Sequence, residues 1–199
     1  MAQPLGIYIH IPFCKSKCDY CDFYSLAGRE DAMDRYQKAL LSHIKTLAPF
    51  LKGRPVDTIY FGGGTPSYYG EKRLREVLSS LLRHFSVNRS AEITLECNPD
   101  SVDLRSMAKL RRAGFNRVSL GMQSADSQQL HCIHRIHTPQ QVSDAVQDIR
   151  RARFDNFSLD LIYGLPGQTM VDWERTLAAA IYLEPDHISC YGLKVEPNT

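Results

Sequence analysis

Six apolar runs of strand length recur along the chain, each separated from the next by a segment with helical spacing. That alternation restricts the fold more than any other feature, because strands joined by helices pair in parallel through right-handed crossovers. The runs are Ile7–Ile11, Val56–Phe61, Ala91–Glu96, Arg117–Met122, Phe157–Ile162 and His187–Tyr191. Between the first pair, Met33, Tyr36, Leu40, Ile44, Leu47 and Leu51 share one helical face. Leu74, Val77, Leu78 and Leu81 mark a second helix, and Leu104, Met107 and Leu110 a third, with Gly114 as its stop. A fourth begins at Thr138-Pro-Gln-Gln141, with a Thr cap, Pro in the first turn and Gln three residues on. Thr169-Met-Val-Asp172 opens a fifth, bearing Trp173, Leu177 and Ile181. The expected class is therefore α/β with a parallel sheet. Six units rather than eight suit an open (β/α)6, three-quarter TIM-like barrel. The pattern stops directly after the sixth run, so residues 1–199 are expected to be one domain of a longer protein whose C-terminal domain is missing here.

A second constraint is chemical. Cys14-Lys-Ser-Lys-Cys18-Asp-Tyr-Cys21 packs three cysteines into eight residues, directly after the first apolar run. A strand emptying into so short a loop is expected to gather three thiolates around one point. Three suit an iron–sulfur cluster that keeps one iron open, where four would close it. A disulfide would leave one cysteine over, and nothing signals an oxidising compartment. A zinc site would want a fourth Cys or His; Asp19, Asp22 and Phe23 supply none locally, and His10 could be that ligand but lies in the strand ahead of the loop. Cys97, Cys132 and Cys190 are scattered and read as ordinary buried thiols. His131-Cys132-Ile-His134-Arg-Ile-His137 has a metal-like composition, but a solvated loop accounts for it as well.

In parallel α/β folds, ligands gather beyond the C-terminal ends of the strands. Unusual residues stand there in register. Gly62-Gly63-Gly64-Thr65 follows the second run, where removal of side chains lets backbone N–H and C=O groups reach a ligand. Glu96 ends the third run, Gln123 follows the fourth and Asp160 lies late in the fifth. Glu96 alone could equally be an exposed strand terminus. Asp160 is a charge in an apolar strand, costly unless paired, so a polar ligand or Arg135 is its expected partner. The Arg135 fork suits a carboxylate bidentately.

With these residues in place, the chain resembles the radical S-adenosylmethionine (SAM) superfamily, whose signature is the CxxxCxxC loop after the first barrel strand. The resemblance implies a [4Fe–4S] cluster on Cys14, Cys18 and Cys21. SAM would chelate the open iron and be cleaved to a 5′-deoxyadenosyl radical when the cluster is reduced by an electron donor. It further implies SAM contacts from Tyr8, Gly63, Gly64, Thr65, Glu96, Gln123, Arg135 and Asp160, although core packing explains Tyr8 as well. Tyr8-Ile-His-Ile-Pro-Phe-Cys14, Phe61-Gly-Gly-Gly-Thr-Pro66, Glu96-Cys-Asn-Pro99, Leu120-Gly-Met-Gln-Ser124, Arg135-Ile-His-Thr138 and Asp160-Leu-Ile-Tyr-Gly-Leu-Pro166 are together similar to the oxygen-independent coproporphyrinogen III oxidase group. Its decarboxylating branch carries a further cysteine two residues after the third. Phe23 stands there in this chain, as in the haem chaperone branch, whose members bind haem and pass it to acceptor proteins. That resemblance leaves open whether SAM is turned over, places the haem segment in the absent C-terminal part, and carries homodimer formation as a family expectation. Within this pattern the family has glycine where His134 stands.

Composition sets the outer bounds. With 43% hydrophobic and 23% charged residues and a net charge of +2, neither a nucleic-acid nor a membrane surface is argued by charge. The start, Met-Ala-Gln-Pro-Leu, lacks a basic segment and long apolar run, and no stretch approaches a membrane span. Unpaired cysteines and an oxygen-labile cluster are expected in the reducing cytoplasm.

Overall fold

Alternating β-branched and aromatic residues, punctuated by Gly, Pro and Asn, set the strands, and the helices between them force parallel pairing. The computed structural model describes residues 3–197 and 199. A six-stranded parallel sheet is built from β1 (Leu5–Ile11), β4 (Pro55–Gly63), β5 (Ser86–Cys97), β6 (Arg117–Gln123), β7 (Phe157–Tyr163) and β8 (His187–Gly192), in that spatial order. A two-residue ladder, β2 (Phe13–Cys14) with β3 (Leu26–Ala27), pins the start of the cysteine loop. The ends of the six-stranded order, β1 and β8, do not pair with each other among the described residues, so the barrel is open, as the six-unit pattern predicts.

Helices α1 (Met33–Leu47), α2 (Pro66–Tyr69), α3 (Glu71–His84), α4 (Leu104–Ala113), α5 (Ser127–Cys132), α6 (Pro139–Arg151) and α7 (Met170–Tyr182) fill the crossovers. Their caps follow the sequence signals. Gly114 closes α4 at φ 119°, a left-handed conformation glycine adopts without strain. Thr138 forms a reciprocal capping box with Gln141 at α6, and Thr169 does the same with Asp172 at α7. Apolar residues of α3 and α6 (Leu74, Leu78, Val146 and Ile149 among them) bury against Ile59, Phe61, Leu95, Leu120 and Leu159 of the strands. The strands are thus covered on their outer face, and nearly every residue of β6 is buried.

The structure departs from the sequence reading in three local places. β5 begins five residues earlier than Ala91, because Ser86 and Val87 pair with Pro55 and Val56 before a register shift. Residues 48–51, expected in the first helix, form a 3₁₀ turn around Pro49 instead. The segment at His131 and Cys132 is no loop: both residues end α5, whose N-terminus is capped by Asp126 accepting from the Gln128 and Gln129 amides. Parallel pairing places every strand's C-terminal end at one mouth, and the site lies there.

Candidate functional site at the strand ends

The mouth holds a cavity of about 440 Å³, a volume suited to a small cofactor. Cys14, Cys18 and Cys21 all line it. They do not converge on one point: among the described residues, no three His, Cys, Asp or Glu side chains are placed to hold a single metal ion. A cluster seats each thiolate on a different iron, so a shared wall rather than a common point is the arrangement it needs. Burial pushes the Cys14 and Cys21 thiols up, and the Thr65 hydroxyl pulls Cys14 back down.

Donors already face these sulfurs. The Thr65 hydroxyl donates to Cys14 Sγ at 3.6 Å, and Arg135 Nη1 donates to Cys18 Sγ at 3.7 Å. Arg135 also donates to Asn98 Oδ1 and to the Gly121 carbonyl, both at 3.0 Å, while its buried Nε lacks a partner. The loop after α5 grips the cysteine loop a second time, where His134 pairs with Asp19 at 2.5 Å. His134 takes φ 52°, the left-handed region where the family pattern has glycine.

The glycine run is seated under Cys14. Gly64 N–H donates to the Ile11 carbonyl and Thr65 N–H to that of Phe13, each at 2.8 Å. A Cβ on Gly64 would stand 2.8 Å from Phe13 O and 2.9 Å from Cys14 Sγ, so no side chain fits. Gly63 N–H donates to Glu96 Oε2 at 3.1 Å, and the Tyr60 hydroxyl donates to Glu96 Oε1 at 2.7 Å. Glu96 is therefore a held carboxylate and not a free strand end; burial lifts its pKa above the usual range, with these two bonds opposing.

Gln123 ends β6 at φ 63°, after a register shift that re-aims it into the cavity. Asp160 also lines the cavity, but its partner is not Arg135. Ser119 Oγ donates to Asp160 Oδ2 at 2.7 Å, Ser158 Oγ donates to Ser119 at 3.0 Å, and Arg117 donates to Ser158 at 3.1 Å. Arg135 is instead engaged by Cys18, Asn98 and Gly121. Tyr8, 57% exposed, lies outside the lining; its ring stacks on Tyr60 and its hydroxyl donates to His10 Nδ1 at 3.2 Å.

Of the remaining cysteines, Cys97 is buried on the cavity wall, its thiol pushed up to about 12 by burial. Cys132 and Cys190 are exposed rather than buried, since one ends a short helix and the other lies on the edge strand β8. His137 is buried, not solvated, and donates to the Met122 carbonyl at 3.1 Å. Sequence reasoning passed over Asn98, Tyr60 and Ser119. Asn98, two residues after a strand-ending carboxylate, sat within a motif that could have flagged it.

The residues present fit an iron–sulfur cluster with a polar cofactor beside it. Three thiols share one wall, two N–H or O–H donors already point at their sulfurs, and a side-chain-free cradle and an unpartnered buried Arg135 Nε lie beside them.

Comparison with known proteins agrees. The model of the radical SAM superfamily matches residues 8–180. Heme chaperone HemW of Mycobacterium tuberculosis is 39% identical over 200 residues, covering 99% of this chain and 51% of that protein. HemW of Escherichia coli is 40% identical over 197 residues, covering 98% and 52%. The chain thus spans about half the length of the curated relatives it matches. The solved coproporphyrinogen III oxidase HemN of Escherichia coli, a radical SAM enzyme, superposes with a TM-score of 0.92 at 32% identity, covering 98% of this chain and 45% of that one. The thiol loop, the six-unit open barrel and the match over residues 8–180 lead to one conclusion: the chain belongs to the radical SAM superfamily.

Proposed function

We propose that residues 1–199 serve as the radical SAM core domain of a haem chaperone, a protein that binds haem and hands it to an acceptor haemoprotein in the cytoplasm. Cys14, Cys18 and Cys21 hold a [4Fe–4S] cluster, and the cavity beside them takes SAM. Gly63, Gly64 and Thr65 offer backbone groups to it, and Glu96, Gln123, Arg135 and Asp160 offer fixed polar side chains. Tyr8 acts from outside the lining, through Tyr60 and Glu96. A [4Fe–4S] cluster held by these cysteines would supply one-electron chemistry to the cofactor beside it, with the electron coming from an external donor. The protein's own part is to point donors at the cysteine sulfurs, keep Glu96 in one orientation and leave space under Cys14.

The observation carrying the chaperone reading is Phe23. It lines the cavity, 68% exposed, at the position where the oxidase branch carries a further cysteine. The curated relatives named HemW support the same branch. The TM-score of 0.92 to HemN favours the second reading, an oxygen-independent coproporphyrinogen III oxidase. An anaerobic assay of the full-length protein, reconstituted with its cluster, separates the two. The chaperone reading expects stoichiometric haem uptake and transfer to an apo-haemoprotein. Appreciable coproporphyrinogen III decarboxylation with release of 5′-deoxyadenosine would replace it by the oxidase. Iron content unchanged after alanine replacement of Cys14, Cys18 and Cys21 would refute the cluster itself.

A further inference from the structure

Two of the three cluster-loop sulfurs accept hydrogen bonds, and the two donors are tied together by one side chain. Asn98 Oδ1 accepts from Arg135 Nη1 at 3.0 Å, and Asn98 Nδ2 donates to Thr65 Oγ1 at 3.3 Å. A continuous path thus runs from Cys18 Sγ through Arg135, Asn98 and Thr65 to Cys14 Sγ.

The path has a fixed direction. Arginine can only donate, so the Asn98 oxygen must be the atom facing it. The Asn98 NH₂ is then the group facing Thr65, whose oxygen accepts. With its oxygen engaged from that side, the Thr65 hydroxyl hydrogen is left to point at Cys14 Sγ. Asn98 is itself clamped: its N–H donates to Ser67 Oγ at 3.1 Å, and its carbonyl accepts from the Ser101 N–H at 3.0 Å and hydroxyl at 2.9 Å. With its backbone clamped and its side-chain oxygen fixed by a group that can only donate, Asn98 orients its neighbours rather than merely filling space.

We infer that Asn98 is a positioning residue of the cluster site, which aims the Thr65 hydroxyl at Cys14 Sγ and the Arg135 guanidinium at Cys18 Sγ and so raises the cluster's reduction potential. Hydrogen bonds to cluster sulfurs stabilise the reduced, more negative state over the oxidised one. A net hydrogen bond is worth roughly three- to tenfold in an equilibrium. Loss of the Asn98 amide therefore lowers the ratio of reduced to oxidised cluster at a given potential by up to about tenfold, about 59 mV for a one-electron couple.

The assignment rests on the three thiols holding a cluster, so the experiment begins with anaerobically reconstituted wild-type protein, its iron content and its potential by EPR-monitored titration. Asn98→Leu keeps the branched outline of the side chain and removes both amide bonds; the expected result is wild-type iron content with a more negative potential. Asn98→Asp tests the direction. Its second oxygen accepts the Thr65 hydroxyl hydrogen and turns it away from Cys14, while its charge acts whatever stands at position 65. The shift caused by Asn98→Asp is therefore larger in the wild-type background than in Thr65→Val. This cycle decides the matter even if Asn98→Leu takes up no iron. An unchanged potential in Asn98→Leu, or an equal Asn98→Asp shift in both backgrounds, overturns the role of Asn98 alone. Wild-type protein that takes up no cluster overturns the cluster reading with it.

Discussion

Acidification tests how the barrel mouth is held, through His137. The ring is buried beneath the loop that follows α5 and donates through Nε2 to the Met122 carbonyl, next to the strained φ of Gln123. Burial first, and then the Arg135 guanidinium, push its pKa from 6.5 down to about 4, with the Met122 bond opposing weakly. Above pH 6.5 neither the folded nor the unfolded chain protonates this ring. Between 6.5 and about 4 the unfolded chain takes up a proton that the folded one refuses, so stability falls as pH falls. Below about 4 both are charged and the loss is complete. At about 1.4 kcal/mol per pH unit, the gap from 6.5 to about 4 removes about 3 kcal/mol by pH 4. His137→Gln keeps an N–H for Met122 and cannot titrate. Urea unfolding of metal-free protein at pH 7 and pH 4 is therefore expected to show wild type losing about 3 kcal/mol more than the variant. The other six histidines are common to both proteins and cancel in the comparison. Equal losses would refute the account of His137 as a buried, neutral prop.

Three further substitutions probe cradle, core and caps. Gly64→Ala places a Cβ against backbone and Cys14 Sγ that cannot yield cheaply; iron uptake on reconstitution is expected to collapse with far-UV dichroism retained, and normal uptake would refute the cradle. Leu120→Ala empties a fully buried site in the strand core and should cost about 2–5 kcal/mol in urea unfolding, a loss under about 1 kcal/mol counting against the packing. Thr138→Ala removes the capping box of α6 and should lower stability by about 1 kcal/mol, with no change in iron content.

The barrel was legible because its information is periodic. Six strand runs are separated by five segments of helical period, and Gly114, Thr138 and Thr169 cap the helices where their chemistry requires. What escaped was short or aperiodic. The two-residue ladder of Phe13–Cys14 with Leu26–Ala27 has too few residues to show alternation. The early start of β5 is imposed by Pro55 and Val56 across the sheet, so Ser86–Arg89 gives no local sign of it. Helix α5 carries one weak cue, Asp126, and its six residues are too few for an apolar stripe.

At the mouth, spacing and strand position picked out residues that share one cavity but could not reveal how they are wired. Cys14, Cys18, Cys21, Glu96, Gln123, Arg135 and Asp160 all reach one cavity because a parallel barrel brings every strand end to the same side. Partnerships obey a different rule: each donor finds the acceptor that its neighbours leave open. Asp160 was expected to pair with a polar ligand or with Arg135, yet within the protein it accepts from Ser119 at the end of a relay from Arg117. That frees Arg135 for Cys18 and Asn98, and Asn98 in turn fixes Thr65 against Cys14. If this order of partnerships holds, Ser119→Ala strips the carboxylate of its neutral partner and should pull Arg135 toward Asp160 and off Cys18. The cluster potential then falls although the substitution touches no cysteine. An unchanged potential in Ser119→Ala would mean that Arg135 is held by Asn98 and Gly121 regardless of the charge beside it.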